Sequence, residues 1–331
     1  MKNKSTNAKH ALTIGVDLGG TKIRVALINA KGKVLQSIRI PTETKKGSKG
    51  IIEDIVSCVK KDLKKSEKAE ALGIGVAGQI DTKKGIVRFS PNLGWKNIEL
   101  RSELEKALKL PVIVTNDVRA AAYGEWYHGA GKGYDDIVCL FVGTGVGGGI
   151  VSGGKMLEGS TNEAGELGHT TIVVDGRKCH CGNLGCLEAY AGGWAIAERA
   201  REYIEKDPHA GKMLLSLAGQ PEKITADTIE DAYKKHDSLS RNVMDETGHY
   251  LASGVVGIVN AFNPRIVIFG GGIMNGFKHL KKVIKEEVAV RALSAATKKV
   301  EFTLDELGHD AGAIGAAALA RTIIGNKYER S

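Results

Sequence analysis

Leu12-Thr13-Ile14-Gly15-Val16-Asp17-Leu18-Gly19-Gly20-Thr21-Lys22-Ile23-Arg24-Val25-Ala26-Leu27-Ile28 is the stretch that decides the fold. Leu12–Val16 and Ile23–Ile28 are rich in β-branched residues and read as strands, with Asp17–Lys22 as a glycine turn between them. The device recurs: Ile137–Val142 reads as a strand, Gly143–Gly149 as a glycine turn, and Ile150–Val151 as the start of a second strand. Outward from the first turn come a strand at Val34–Ile40, an amphipathic helix over about 50–68, and a strand at Leu72–Ala77. A helix at 99–109, a strand at Val112–Thr115 and a helix at Ala120–Trp126 follow, the last behind Asn116-Asp117, which has the chemistry of a helix N-cap. After a loop-rich stretch at 153–187, helices dominate from 188 to 262, with breaks at Pro208 and Pro221. Ile266–Phe269 is a short buried strand ending in Gly270-Gly271-Gly272, and Ala311–Ile324 is a small, apolar helix. Alternating strands and helices predict an α/β protein. The echo predicts two related lobes, 1–118 and 119–310, with helix 311–325 packing back on the first. Lobes facing each other across a cleft would bring both glycine turns to one ligand.

Composition narrows the function. In 331 residues, 42% hydrophobic and 26% charged content excludes wholesale disorder. Aromatics at 5% are too few for a base-stacking surface. Glycine is the outlier, with 43 residues against a usual share of about 7%. Its clustering beside strand-like segments suggests backbone turning close to a ligand. Residues 1–70 carry 14 Lys and 2 Arg against 7 acids, which accounts for the whole net charge of +9. Lys60, Lys61, Lys64, Lys65 and Lys68 fall on the helix of 50–68 and read as its solvated face; no recognition motif accompanies them, so no nucleic-acid partner is expected. MKNKSTNAKH is polar and is not a signal peptide, and no apolar run reaches the ~18 residues of a membrane helix. Five cysteines, three of them clustered, fit a reducing cytoplasm, where a cysteine cluster more often means metal than disulfide.

The glycine turns are shaped for phosphate. Turn glycines let a backbone approach an anion and aim N–H groups at it. Thr21 adds a hydroxyl, Lys22 a charge, and Asp17 a carboxylate suited to Mg²⁺. Gly270–Gly272, after a strand, would let an adenosine approach the backbone. Any one such turn is equally a plain hairpin; three, each following a strand, point to a nucleotide. Neither the strand–GxGxxG–helix pattern nor a P-loop is present.

Cys179-His180-Cys181-Gly182-Asn183-Leu184-Gly185-Cys186 offers three thiolates, and His169 or His180 a fourth ligand, for a closed structural zinc site. His180, adjacent to two of the cysteines, is awkwardly placed for it. Asp117, after a buried strand, is either the cap of the next helix or a general base for a substrate hydroxyl. Glu166 and Glu188 flank the metal loop and would be acceptors for a polyhydroxylated ligand.

Together these residues resemble the ROK family (repressors, open reading frames and sugar kinases) of the hexokinase–actin-like superfamily, over nearly the whole chain. DLGGTK at 17–22 is similar to the family's first phosphate motif and GTGVGGG at 143–149 to the second. Glu166-Leu167-Gly168-His169 resembles its ExGH motif, and CHCGNLGCLE at 179–188 matches CxCGxxGCxE throughout. The resemblance implies a two-lobed hexokinase/actin-like (ribonuclease H-like) ATPase fold with a zinc-bound loop. It implies Asp117 as catalytic base, with Gly78, Asn92, Asn116, Glu166, His169 and Glu188 around a sugar. Asn92 belongs to Ser90-Pro91-Asn92-Leu93-Gly94-Trp95, which looks like the glucokinase branch. ATP would lie against Asp17, Gly19, Gly20, Thr21, Lys22, Gly143, Thr144, Gly145, Gly147, Gly271 and Gly272, with Mg²⁺. Zinc would take His169, Cys179, Cys181 and Cys186, His169 holding metal through one nitrogen and sugar through the other. Gln79 stands where some N-acetylmannosamine kinases have arginine, which disfavours that substrate. The family's repressors carry an N-terminal helix-turn-helix domain, for which a first strand near residue 11 leaves no room. The expected activity is ATP-dependent phosphorylation of the glucose 6-hydroxyl by a homo-oligomer. The alternatives are another hexose kinase, a polyphosphate-dependent one, or a non-catalytic sugar-sensing regulator.

Overall fold

The computed structural model describes residues 12–329; the opening MKNKSTNAKH lies outside them. The chain divides into two compact units, one of residues up to 133, 156–164 and from 306 onward, the other of 134–155 and 165–305. Among the described residues, no helix is long and apolar enough to cross a membrane.

In the first unit, β1 (Leu12–Leu18), β2 (Lys22–Ile28), β3 (Val34–Pro41), β4 (Ala69–Val76) and β5 (Val112–Asn116) form a sheet in the order β3-β2-β1-β4-β5. β1–β2 and β2–β3 are antiparallel; β1–β4 and β4–β5 are parallel. Ile14, Val16, Leu72 and Ile74 are fully buried in the two central strands. One side of the sheet packs on α1 (Gly47–Ser57) and α2 (Leu100–Leu108) through Ile51, Ile55, Leu100 and Leu104. The other side meets the C-terminal helix, Ala311–Glu329, which also runs along α3 (Asp117–His128). At its centre that contact is backbone to backbone, flanked by Ala26, Ile28 and Ala71 of the sheet against Ala313, Ala317, Ala320 and Ile324 of the helix. Gly15 and Gly73 are register neighbours, and a Cβ on either would overlap the carbonyl of Ala313 or Ala316. A Cβ on Gly315 would likewise overlap the Ala120 carbonyl. The division placed at 118 in the sequence thus falls just inside α3, which stays with the first unit because it is packed backbone-to-backbone on the C-terminal helix.

Two expectations change here. The helix of 50–68 is not continuous: α1 ends at Ser57, a single π turn follows at Cys58–Asp62, and Lys65 adopts a left-handed conformation (φ 64°). Cys58, Val59 and Leu63 remain in the core through this turn. Gln36 on β3 fixes the break, donating to the Asp62 carbonyl and accepting the Lys64 N–H. Second, residues 79–98 form an antiparallel three-stranded sheet, Gln79–Asp81, Ile86–Ser90 and Trp95–Ile98.

The second unit repeats the strand order. β6 (Ile137–Val142), β7 (Val146–Ser152), β8 (Lys155–Met156), β9 (Ile266–Gly270) and β10 (Glu301–Leu304) lie as β8-β7-β6-β9-β10. β6–β7 is antiparallel, and β6–β9 and β9–β10 are parallel, as in the first sheet. Its central pairs carry side chains, Val138 beside Val267 and Cys139 beside Ile268. α4 (Gly193–Lys206), α5 (Ser238–Phe262) and α6 (His279–Arg291) share a conventional core with this sheet, built of Leu251, Val255, Phe269, Leu280 and Ile284 among others.

Candidate active site

In the first unit, β5 ends on Asn116 and α3 begins with Asp117. Asn116 is the N-cap: its Oδ1 accepts the Arg119 N–H (3.0 Å), while its Nδ2 donates to the Gly78 carbonyl (3.2 Å). The capping role open for Asp117 is therefore filled by its neighbour, and Asp117 occupies the first helical turn, half-buried. Gly78 holds φ 149°, and a Cβ there would overlap the Phe89 carbonyl, so only glycine presents its oxygen to Asn116 in this way. Asn92 is exposed, with its Cβ packed over Gly20.

Asp17 stands at the end of β1, and a Cβ on Gly312 of the C-terminal helix would lie 2.9 Å from its carboxylate. Burial, and secondarily the charge of Asp117, push its pKa up to about 6; Arg24 and Arg39 pull the other way. Two carboxylates influencing each other beside a glycine turn make a place that a divalent cation would relieve.

The turn itself is shorter than the motif. Asp17 and Leu18 belong to β1 and Lys22 to β2, leaving Gly19-Gly20-Thr21. The Gly19 N–H donates to the Lys22 carbonyl (3.1 Å), so it closes the turn rather than facing a ligand. Thr21 and Lys22 are exposed.

The second turn differs more from its reading. It spans only Gly143-Thr144-Gly145; β7 starts at Val146, with Gly147 paired to Phe141 and Gly148 to Leu140. Gly147 is thus a strand residue. The Gly143 N–H bonds the Gly145 carbonyl (2.9 Å), and the Val146 N–H bonds Glu188 (2.9 Å). The strand glycines have a packing purpose. A Cβ on Gly148 would strike Leu167 and the Gly165 carbonyl, and one on Gly168 would overlap the Val146 carbonyl. This lets the segment carrying Glu166 and His169 lie directly on β7. Glu166 is exposed and precedes a 3₁₀ turn at Leu167–His169, whose last residue, His169, is half-buried. Gly271 (φ 90°) caps a five-residue helix after β9, and a Cβ there would overlap the Val142 carbonyl; Gly272 has open space around it.

His169, Cys179, Cys181 and Cys186 present their ligand atoms within 4.8 Å of one another. His169 Nδ1 lies 3.7 Å from Cys179 Sγ, and Cys181 Sγ 3.7 Å from Cys186 Sγ. Zn–S and Zn–N bonds of about 2.3 and 2.0 Å at a tetrahedral centre separate two thiolates by about 3.8 Å and a thiolate from an imidazole by about 3.6 Å. The donor set therefore fits zinc in number, kind and spacing. His180 is not part of it; its ring stacks on Trp194 (3.9 Å). Burial pushes the Cys179 thiol up to about 12, so without a metal it keeps its proton. Glu188 stands between cluster and turn, with Oε2 on the Val146 N–H and Oε1 4.0 Å from Cys179 Sγ.

The model of the ROK family matches residues 13–323. A glucokinase of Thermotoga maritima is 38% identical over 313 residues, covering 94% of this chain and 98% of that protein. The xylose repressor of Bacillus subtilis is 30% identical over 316 residues, 95% of this chain and 78% of the repressor. Among solved structures, a ROK family glucokinase from Streptomyces griseus in complex with glucose and AMPPNP superposes with a TM-score of 0.82 at 35% identity, covering 94% of this chain and all of that one.

Proposed function

The chain belongs to the ROK family, with its hexokinase/actin-like α/β fold, and from that premise we propose that it is an ATP-dependent glucokinase, transferring the γ-phosphoryl group to the 6-hydroxyl of glucose. Near-full-length similarity to glucokinases supports the reading. The observation that carries it is local. Asn116, not Asp117, caps the helix, and the Asp117 charge acts on the carboxylate of Asp17 at the end of β1.

Asp117 accepts the proton of the 6-hydroxyl as its oxygen attacks the γ-phosphorus in line. Within the first unit, Asn116, held by Gly78, and Asn92 are the candidate sugar-orienting residues; within the second, Glu166, Glu188 and His169 Nε2 are the candidate acceptors and donor for sugar hydroxyls. With the Gly19 N–H engaged, the candidate phosphate contacts of the first unit are Gly20 and Thr21, with Lys22 adding charge; with the Gly143 and Val146 N–H groups engaged, those of the second unit are Thr144 and Gly145. Gly272, with open space about it, offers its backbone to the adenosine, after the turn that Gly271 makes at φ 90°. Mg²⁺ accompanying ATP would supply positive charge at the phosphates, with Asp17 as its carboxylate. Zinc in the His169, Cys179, Cys181 and Cys186 site would have all four positions filled and so would shape the loop rather than activate water. Because His169 turns Nδ1 to the cluster, the metal would also fix the direction of Nε2. Reduced thiols fit a cytoplasmic protein, and the family's habit predicts a dimer or tetramer.

Coupled ADP release with glucose, fructose, mannose, N-acetylmannosamine and N-acetylglucosamine, using ATP and then polyphosphate as donor, tests the reading. Glucose with ATP is expected to give the highest kcat/KM. A clear preference for another hexose or for polyphosphate would replace the substrate, and no sugar-dependent turnover would replace the enzyme by a sugar sensor.

A further inference from the structure

Helix α3 holds a second acid besides Asp117. Glu125 is fully buried. One carboxylate oxygen accepts the N–H groups of Ala130 (3.0 Å) and Glu306 (3.2 Å), and the other accepts that of Leu307 (2.8 Å). Its main-chain carbonyl accepts the N–H groups of Gly129 (3.1 Å) and Gly131 (2.9 Å). A buried carboxylate persists only where its lone pairs are filled, and here backbone donors from two distant segments converge on it. Those segments adjoin the points where the chain passes between units: it leaves the first after Gly133 and returns at Glu306. Arg119, on the same helix and 7% exposed, acts at another crossing. It donates to Asn162 Oδ1 (2.5 Å) and to the carbonyls of Asn162 (2.7 Å) and Ala164 (3.1 Å), directly before the chain leaves the first unit again at Gly165. Asn162 is held at φ 69°, a conformation a side chain adopts at some cost, which the guanidinium offsets. All of these partners lie within the first unit.

We infer that Glu125 is a positioning residue: from the helix that begins with Asp117, its carboxylate fixes the first-unit ends of two chain crossings, while Arg119 fixes a third. The base and the anchors of these segments thereby share one rigid element. The kinetic part of this inference rests on the reading of Asp117 as the base; the structural part does not.

Glu125→Gln replaces one acceptor oxygen by an amide that cannot accept. In the full chain without substrate, amide hydrogen exchange is expected to quicken about 10-fold or more at Ala130, Glu306 and Leu307, with β1 and β4 unchanged. In the same variant, kcat for glucose phosphorylation is expected to fall about 10-fold while both KM values stay within about 3-fold, as for misplacement rather than lost binding. Gly129→Ala, which crowds the same carboxylate without removing it, gives the same pattern and serves if Glu125→Gln is insoluble. Arg119→Met quickens exchange only at 162–164. Unchanged exchange at the three amides, equal quickening across β1 and β4, or released amides with wild-type kcat would each overturn the positioning role. A wild type without glucose-dependent turnover would instead remove the proposed function, and the exchange arm would still decide whether Glu125 is the anchor.

Discussion

The two units have the same strand order but close their sheets differently. The second seats helices on side chains such as Phe269 and Leu280, as most α/β sheets do. The first brings the C-terminal helix onto the backbone of its sheet at Gly15 and Gly73, with only small side chains and Ile28 and Ile324 around that contact. The glycine turns differ in the same spirit: the first is pressed by Asn92 over Gly20, the second by Glu188 over Gly145. The lesson is that glycine abundance here has two causes, approach of chain to chain and approach of chain to ligand, and composition alone cannot separate them.

The largest effect should come from breaking the close seat. Gly73→Leu places a side chain on the Ala316 carbonyl, which has no rotamer to give. A loss above about 4 kcal/mol is expected, read as lost soluble yield or collapse of the thermal transition. Cys139→Val, in the buried core of the other sheet, changes volume little and should cost about 1 kcal/mol. Similar costs for the two would dissolve the contrast.

The metal loop belongs to the second unit alone. Cys186→Ser, or exhaustive chelation, is expected to release one zinc per chain and reduce glucose phosphorylation at least about 100-fold. The first unit's exchange-protected strands should stay protected. An active, zinc-free protein would remove the structural-zinc reading.

Asp17 gives an effect of opposite sign on stability and activity. Its folded pKa of about 6 lies above the unfolded value of 3.8, so ionising it in the native state costs stability. The cost is absent below pH 3.8, grows between about 4 and 6, and is complete above, amounting to about 3 kcal/mol. Asp17→Asn should therefore raise the melting temperature by several degrees at pH 7.5, with the gain shrinking as pH falls towards 4, while kcat drops. A gain independent of pH would assign the effect to packing.

The smallest effect compares neighbours in one turn. Gly143→Ala meets open space, whereas Gly145→Ala presses on Glu188. KM for glucose should rise several-fold for Gly145→Ala and stay near wild type for Gly143→Ala; equal values would detach Glu188 from the sugar.

Much of this was legible in the sequence. The strands at 12–28 and 137–142 follow from β-branched runs around glycine, and the metal set from the spacing of 179–186 with His169. What was missed has physical reasons. The glycines of β7 looked like turn residues because a strand stripped of side chains loses its alternation; only the segment lying on it explains them. The break near residue 62 carries no glycine or proline, and the side chain that meets it, Gln36, lies some 26 residues away in sequence. The sheet of 79–98 was signalled by Asp81, whose Oδ1 accepts the Lys84 N–H, and by Pro91-Asn92-Leu93-Gly94, but its strands are only three to five residues long. Glu125 and Arg119 give no sequence signal, since their partners lie as far as 182 residues away.

Turnover and glucose binding of Asp117→Asn, measured on the same preparation, bear most directly on the proposed chemistry. The expected result is a kcat lower by about 10²–10⁴ with glucose affinity within a few-fold of wild type and a melting temperature no lower than wild type. Near-normal kcat in that variant would contradict the assignment of Asp117 as the base.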